Sequence, residues 1–250
     1  MDLGIAGKKA LVVGSGKGLG RQIALKLARE NTKVIAVSRT ASDLESLLSD
    51  MGGTGKGHQV IAMDMMPLSA PRELIEKIRN LEIDIVVHNL GASMGIKDVF
   101  PAMDDFHKVM RINLDIAIEL NNYLIPEMQK RKWGRVVHVS SASAVVTRGS
   151  LCYTVAKAAL NTYTESLGLQ VARSGVNVAS VMPGAIAFPG SRWDQLYKEK
   201  TAEISKYLDE HVALNRFAKP EEVADAITFL CSESAVLFSG SQLRMDGGTY

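Results

Sequence analysis

The chain has 250 residues, 46% hydrophobic and 22% charged, with 29 Lys+Arg against 27 Asp+Glu and a net charge of +2. That balance offers no cationic excess to attract nucleic acid or an anionic membrane, and the apolar content excludes a disordered or collagen-like chain. A chain this long buries roughly three-quarters of its unfolded surface and needs no disulfide or metal staple. The two cysteines, Cys152 and Cys231, stand far apart outside any CxxC pattern, which fits packed thiols in a reducing compartment. Residues 1–8 show no basic segment leading into an apolar one. No apolar run reaches the roughly 18 residues of a membrane span. The expectation is a soluble, cytoplasmic protein with no nucleic-acid or membrane partner.

In chain order, short apolar runs alternate with stretches of helical periodicity. The runs are Lys9–Val13, Lys33–Ser38, Gln59–Met63, Ile83–His88, Arg135–Ser140, Asn177–Met182 and Gln242–Met245. Most are rich in Val and Ile and lack polar alternation, the mark of strands buried on both faces of a parallel sheet. Helices are expected over Leu19–Glu30, Ser42–Asp50, Ser69–Asn80, Met103–Lys132, Tyr153–Arg173 and Pro220–Cys231. Ser42 with Glu45 offers a capping box, and Pro220 followed by Glu221 and Glu222 reads as a helix start. The βα alternation predicts a single α/β domain, a doubly wound, Rossmann-like parallel sheet of about seven strands. A polar-aromatic stretch, Phe188–Lys219, interrupts the pattern and reads as a lid-like insertion at about 188–215.

The first strand runs into Gly14-Ser15-Gly16-Lys17-Gly18-Leu19-Gly20 and then a helix. Glycines permit positive φ and close backbone approach, while the helix start supplies N–H donors for a pyrophosphate. The spacing is GxxxGxG, and no Gly-Lys is followed by Ser or Thr, so a phosphate loop of the NTPase type is excluded. A dinucleotide is expected here. After the second strand stand Ser38 and Arg39, with Lys17 in the turn. Two cations near the ribose and no carboxylate at the strand end suit the 2′-phosphate of NADP(H), although both could be solvated surface charges. Tyr153 and Lys157, four apart at a helix start, share one face, so an ammonium could lower the phenol's pKa and fit it for acid–base work. A strand ending in Ser140-Ser141 could supply a hydroxyl to a substrate carbonyl.

The set Gly14/Gly18/Gly20, Asn89-Leu90-Gly91, Asn113, Ser141, Tyr153/Lys157 and Pro183-Gly184 resembles the short-chain dehydrogenase/reductases, over essentially the whole chain to Asp246-Gly247-Gly248. The resemblance implies a catalytic tetrad of Asn113, Ser141, Tyr153 and Lys157. Tyr153 would exchange a proton with the substrate oxygen and Ser141 would orient that oxygen. Lys157 would hold the nicotinamide ribose, and Asn113 a relay water. It also implies cofactor contacts from Asp64 at the adenine edge, and from Asn89, Gly91, Pro183, Gly184 and Ile186. Asp64 could equally cap the next segment. Among the subgroups the 3-oxoacyl-acyl-carrier-protein reductases look most similar, and the long helices imply a homotetramer, with a homodimer as the smaller alternative.

Three departures bear on the nicotinamide pocket: Val13 for the usual Thr, His88 and Leu90 within the usual Asn-Asn-Ala-Gly, and Phe188 where a Thr is usual. Ser140 rivals Ser141, with strand register favouring Ser141. The five histidines form no metal motif, so no metal is expected. Lys130-Arg131-Lys132 with Arg173 could meet an acidic carrier protein or simply complement a helix dipole. Trp193, Tyr197 and Tyr207 could line the substrate side of the lid. The resulting expectation is reduction of a ketone, 3-oxoacyl thioester-like and either free or carrier-linked, or the reverse oxidation. A sugar or polyol ketoreductase is the alternative. A lyase or epimerase, and a non-catalytic nucleotide-binding interaction protein, are the readings from other classes.

Overall fold

The computed structural model describes residues 1–147 and 149–249. Seven parallel strands run in the order β3-β2-β1-β4-β5-β6-β7. They are β1 (Lys9–Val13), β2 (Lys33–Ser38), β3 (Gln59–Ala62), β4 (Ile85–His88), β5 (Gly134–Val139), β6 (Val176–Pro183) and β7 (Gln242–Met245). The connecting helices are α1 (Gly18–Arg29), α2 (Ala41–Asp50), α3 (Ala70–Ile78), α4 (Met103–Met110), α5 (Ile116–Lys130), α6 (Ser143–Val146), α7 (Leu151–Val171), α8 (Arg192–Glu199), α9 (Thr201–His211) and α10 (Pro220–Leu230). The doubly wound expectation therefore holds.

Period-2 alternation explains both layers. In β1, Ala10 and Val12 face Ile23 and Leu27 of α1 and Ile227 of α10, whereas Leu11 and Val13 face Leu74 of α3 and Leu120 of α5. Each face is apolar, so the strands read as continuous Val/Ile runs. Both cysteines are buried, and burial pushes the Cys231 thiol up to about 12. Among the described residues no helix is long and apolar enough to cross a membrane.

Two local expectations change. Ser42 and Glu45 form no capping box: α2 begins one residue earlier, Thr40 is its N-cap, and no side chain caps it. The expected helix Met103–Lys132 is two helices joined by a π-helical turn, Arg111–Asp115, which carries Asn113 at its centre. Such turns are frequent at functional sites because the widened ring re-aims a side chain. At α10 the expected start is observed: Glu222 accepts the Lys219 backbone N–H at 2.8 Å.

The order places β1 between β2 and β4, so the chain winds outward in both directions from this point. Open α/β sheets bind ligands outside the carboxyl ends of the strands at such a switch. Here the amide of Asn89, just past β4, donates to the Gly14 carbonyl just past β1 at 2.8 Å and ties the two strand ends together.

Candidate active site

The glycine turn is built for close approach. Gly14 has φ +89, and a Cβ on it would press on the Asn89 carbonyl oxygen at 3.0 Å. Any Cβ on Gly20 would collide with the Gly14 carbonyl. On Gly16 it would meet the Ser38 hydroxyl at 2.5 Å. Ser15 is buried and donates to the Val37 carbonyl, which ties the turn to β2. A cavity of about 370 Å³ opens beside this turn, with Gly14, Gly16, Lys17, Ser38, Arg39 and Asp64 among its walls. Asp64 also accepts the Met66 backbone N–H at 3.1 Å, so it caps the segment as well as facing the cavity.

One residue escaped the sequence reading. Asp43, in the first turn of α2, lines the same cavity, and its carboxylate lies 3.4 Å from the Lys17 ammonium. The expectation that no carboxylate stands at this corner is thus corrected. Asp43 lies five residues beyond Ser38, and the turn into α2 folds it back over the glycines. The acidic first turn of a helix was the available signal.

The second cavity, about 200 Å³, is walled by Leu19, Asn89, Gly91, Ser141, Tyr153, Lys157, Pro183, Gly184 and Ile186. Lys157 is 2% exposed and donates to the Val139 carbonyl at 2.7 Å. No carboxylate accompanies it there, and desolvation lowers its pKa to about 7. The amide nitrogen of Asn113 donates to the Val109 and Ala92 carbonyls, both at 2.8 Å, while its buried Oδ1 has no protein partner. That oxygen and the Lys157 ammonium flank Gly91, where a Cβ would be 2.9 and 2.8 Å from them. Gly91 is therefore the small residue that leaves room between the two groups.

Tyr153 is half-buried. Burial raises its phenol above the ordinary value, and a hydrogen bond with Ser141 opposes the rise. The lowering expected from Lys157 is not present in the protein alone: the ammonium turns to Val139 and lies 5.8 Å from the phenol ring centroid. The two serines separate. Ser140 is buried, donates to the Lys157 carbonyl at 3.2 Å and borders only the second cavity, whereas Ser141 borders both the second cavity and the one beyond Tyr153. Next to Tyr153 a third cavity, about 310 Å³, is lined by Ser141, Ser143, Val146, Trp193, Tyr207 and Val212, with no charged side chain among the described residues. Tyr197, named with these aromatics in the sequence, instead packs edge-on against Phe217.

Beneath the tetrad positions lies a buried polar layer. His88 of β4 and His138 of β5 are register partners, and their rings stack at 5.1 Å. Asn121 of α5 joins them, with His88 Nε2 at 2.8 Å from its Oδ1 and its Nδ2 at 3.0 Å from His138 Nε2. His138 Nδ1 then meets the Thr164 hydroxyl at 2.8 Å. Burial pulls His88 down to about 4 and His138 well below its ordinary value. These are neutral core histidines, and no metal-binding cluster occurs among the described residues.

Phe188 packs its ring directly onto Gly18 at the start of α1. The basic run lies elsewhere. Lys130–Lys132 closes α5 at the amino end of β5, the sheet edge opposite the cavities, with Lys130 paired to Glu127 and Arg131 to Asp84. A carrier docked on that run would sit at the opposite end of the strands from Tyr153.

Residues 13–250 match the protein family described as enoyl-(acyl carrier protein) reductase. The chain belongs to the short-chain dehydrogenase/reductase family. It is 30% identical to the 3-oxoacyl-[acyl-carrier-protein] reductase of Aquifex aeolicus (strain VF5), over 100% of both chains. It is 31% identical to the L-xylulose reductase of Mesocricetus auratus, over 99% of this chain and 98% of that one. Among solved structures, L-sorbose reductase from Gluconobacter frateurii, complexed with NADPH and L-sorbose, superposes with a TM-score of 0.90 at 30% identity, covering 100% and 98% of the two chains. The chain is thus an oxidoreductase acting on CH–OH and C=O groups with a nicotinamide cofactor.

Proposed function

We propose that the chain is an NADP(H)-dependent ketoreductase in which Tyr153, Ser141, Lys157 and Asn113 carry the chemistry. The observation that supports this is the convergence of a phenol, a hydroxyl and a buried ammonium around one cavity, with the amide oxygen of Asn113 facing the ammonium across Gly91. The nicotinamide supplies or accepts the hydride when bound. Tyr153 Oη passes a proton to the carbonyl oxygen as it becomes an alcohol, and Ser141 Oγ donates a hydrogen bond to the same oxygen. Lys157 Nζ holds the ribose hydroxyls, and its charge, once drawn towards the phenol, favours phenolate. Asn113 Oδ1, facing Lys157 across Gly91, holds the water that returns the proton. Gly14, Ser15, Gly16, Lys17, Gly18, Leu19 and Gly20 cradle the pyrophosphate, Asp64 meets the adenine edge, and Asn89, Gly91, Pro183, Gly184 and Ile186 line the nicotinamide end.

Lys17, Ser38 and Arg39 select the 2′-phosphate. The substrate is a small ketone, either a 3-oxoacyl thioester or a keto sugar. The hydroxyl-bearing and aromatic walls around Ser143, Trp193 and Tyr207 favour the second of these as a specific alternative to the first. The 188–215 segment acts as the lid. Its helices α8 and α9 carry a small apolar cluster of their own around Ile204, Leu208 and Val212. The working form is a cytoplasmic homotetramer, in which Leu151, Val155 and Leu169, exposed along α7, are covered by a second copy. NADPH oxidation against acyl thioesters, keto sugars and cyclic ketones tests the reading, and a panel with no turnover would leave only a nucleotide-binding role. Product formed without net NADPH turnover would point to a lyase or epimerase.

A further inference from the structure

The adenosine corner of the groove contains two cations, Lys17 and Arg39, and two carboxylates, Asp43 and Asp64, of which Lys17 and Asp43 meet. Lys17 projects from the glycine turn with its side chain 73% exposed, and Asp43, 23% exposed, receives it at 3.4 Å. Asp43 is the fixed partner. Its carbonyl accepts Arg21 Nη1 at 3.2 Å, and its Cβ would be 3.5 Å from a Cβ on Gly16. Arg21 is itself engaged by Asp50 and by Ser46. From β2 come Ser38 and the exposed Arg39, which has no ion pair among the described residues; from β3 comes Asp64.

We propose that Asp43 sets the cofactor discrimination of this chain, by sequestering Lys17 and by presenting a negative charge where a 2′-phosphate would sit. The inference rests on the NADP(H) reading above and sharpens it. A phosphate monoester carries roughly −1.5 to −2 charges at neutral pH. It gains Arg39 directly but gains Lys17 only when that ammonium leaves Asp43, and the carboxylate left behind repels it. A ribose with free hydroxyls meets no such repulsion, and the carboxylate is no obstacle to it. Asp43 therefore narrows the gap between NADPH and NADH that Lys17 and Arg39 would otherwise open.

The test is cofactor binding, read by nicotinamide fluorescence in the protein without substrate. Asp43→Asn is expected to tighten NADPH by about three- to tenfold at low salt, less at high salt, and to leave NADH within about twofold. In a Lys17→Met background the same substitution should give a smaller gain, because no ammonium is left to release. Asp43→Glu, which restores the ion pair, should return the ratio towards the wild type. Asp43→Ser repeats the measurement if the Asn variant does not fold. Unchanged binding of both cofactors overturns the proposal, as does a selective loss of NADH, which would put the carboxylate on the ribose hydroxyls. The wild-type ratio is read separately. A wild type that prefers NADH, yet shifts towards NADPH with Asp43→Asn, would refute the NADP(H) preference and leave the role of Asp43 standing.

Discussion

The two ends of the groove obey different electrostatics. At the nicotinamide end, Lys157 is 2% exposed and Asn113 is also 2% exposed, and both are fixed by backbone carbonyls. At the other end, beside the glycine turn, the Lys17 side chain is 73% exposed, Arg39 is exposed, and the Lys17–Asp43 pair at 3.4 Å is open to solvent. A buried group is worth much because little solvent screens it, and it is costly to keep charged. An exposed pair is worth about 0–1 kcal/mol and yields to salt. On the proposed function, chemistry belongs at the first end and selection between similar cofactors at the second.

That contrast is sharpest at Tyr153. Tyr153→Phe should lower turnover of a ketone by about 10²–10⁴-fold while NADPH binding stays close to normal, since only the proton-transferring hydroxyl goes. An enzyme that keeps most of its activity would break the assignment. Ser141→Ala should cost turnover by about 10²-fold, the scale of a lost oxyanion donor. Ser140→Ala should cost less, because that hydroxyl is committed to the Lys157 carbonyl. The reverse order in steady-state rates would move the substrate contact to Ser140.

At the exposed end the effects are smaller. Arg39→Asp should shift preference towards NADH by about 10–100-fold, the equivalent of roughly 1.5–3 kcal/mol for a charge-assisted contact. An unchanged ratio of binding constants would remove Arg39 from the phosphate site.

The buried histidines give a pH test of the first end. His88 is held neutral, with its folded pKa lowered from 6.5 to about 4. Above pH 6.5 this exacts no penalty. Below it the unfolded chain takes up a proton that the folded chain refuses, so stability falls between pH 6.5 and 4 by up to about 3 kcal/mol. Comparing melting temperatures of wild type and His88→Asn from pH 7.5 to 4.5 isolates this effect. The wild-type advantage at pH 7.5 should shrink on acidification, and a constant gap would show that His88 titrates alike in both states.

The smallest effect concerns the segment that carries Trp193 and Tyr207 to the cavity beside Tyr153. Amides of 188–211 should gain hydrogen-exchange protection only with NADPH and substrate, as a mobile lid requires. The flanks are tied down whatever the ligand: Ala187 donates to the Ala218 carbonyl and Ala218 to that of Ala185. Strong protection in every state would mark α8 and α9 as permanently docked.

Most of the frame was legible in the residue order. Three strands, Lys9–Val13, Lys33–Ser38 and Gln242–Met245, match the structure residue for residue, and the other four differ by one or two residues at their ends. Burial on both faces writes itself into a strand as an unbroken apolar run, and a glycine turn followed by a helix is equally local. Tyr153 and Lys157 share a face because 3.6 residues make a turn. Contacts between distant segments were not legible. The π turn at Asn113 arises from packing rather than from a residue signal, and the Asp43–Lys17 pair joins residues 26 apart. Nor could the sequence say that Lys157 would turn to Val139, or that His88, Asn121, His138 and Thr164 would close one hydrogen-bonded chain. Local propensity and period determine elements and the residues on their faces, because these depend on neighbours along the chain. Only tertiary structure decides which charges meet and how much water lies between them, because distance and burial belong to the folded molecule.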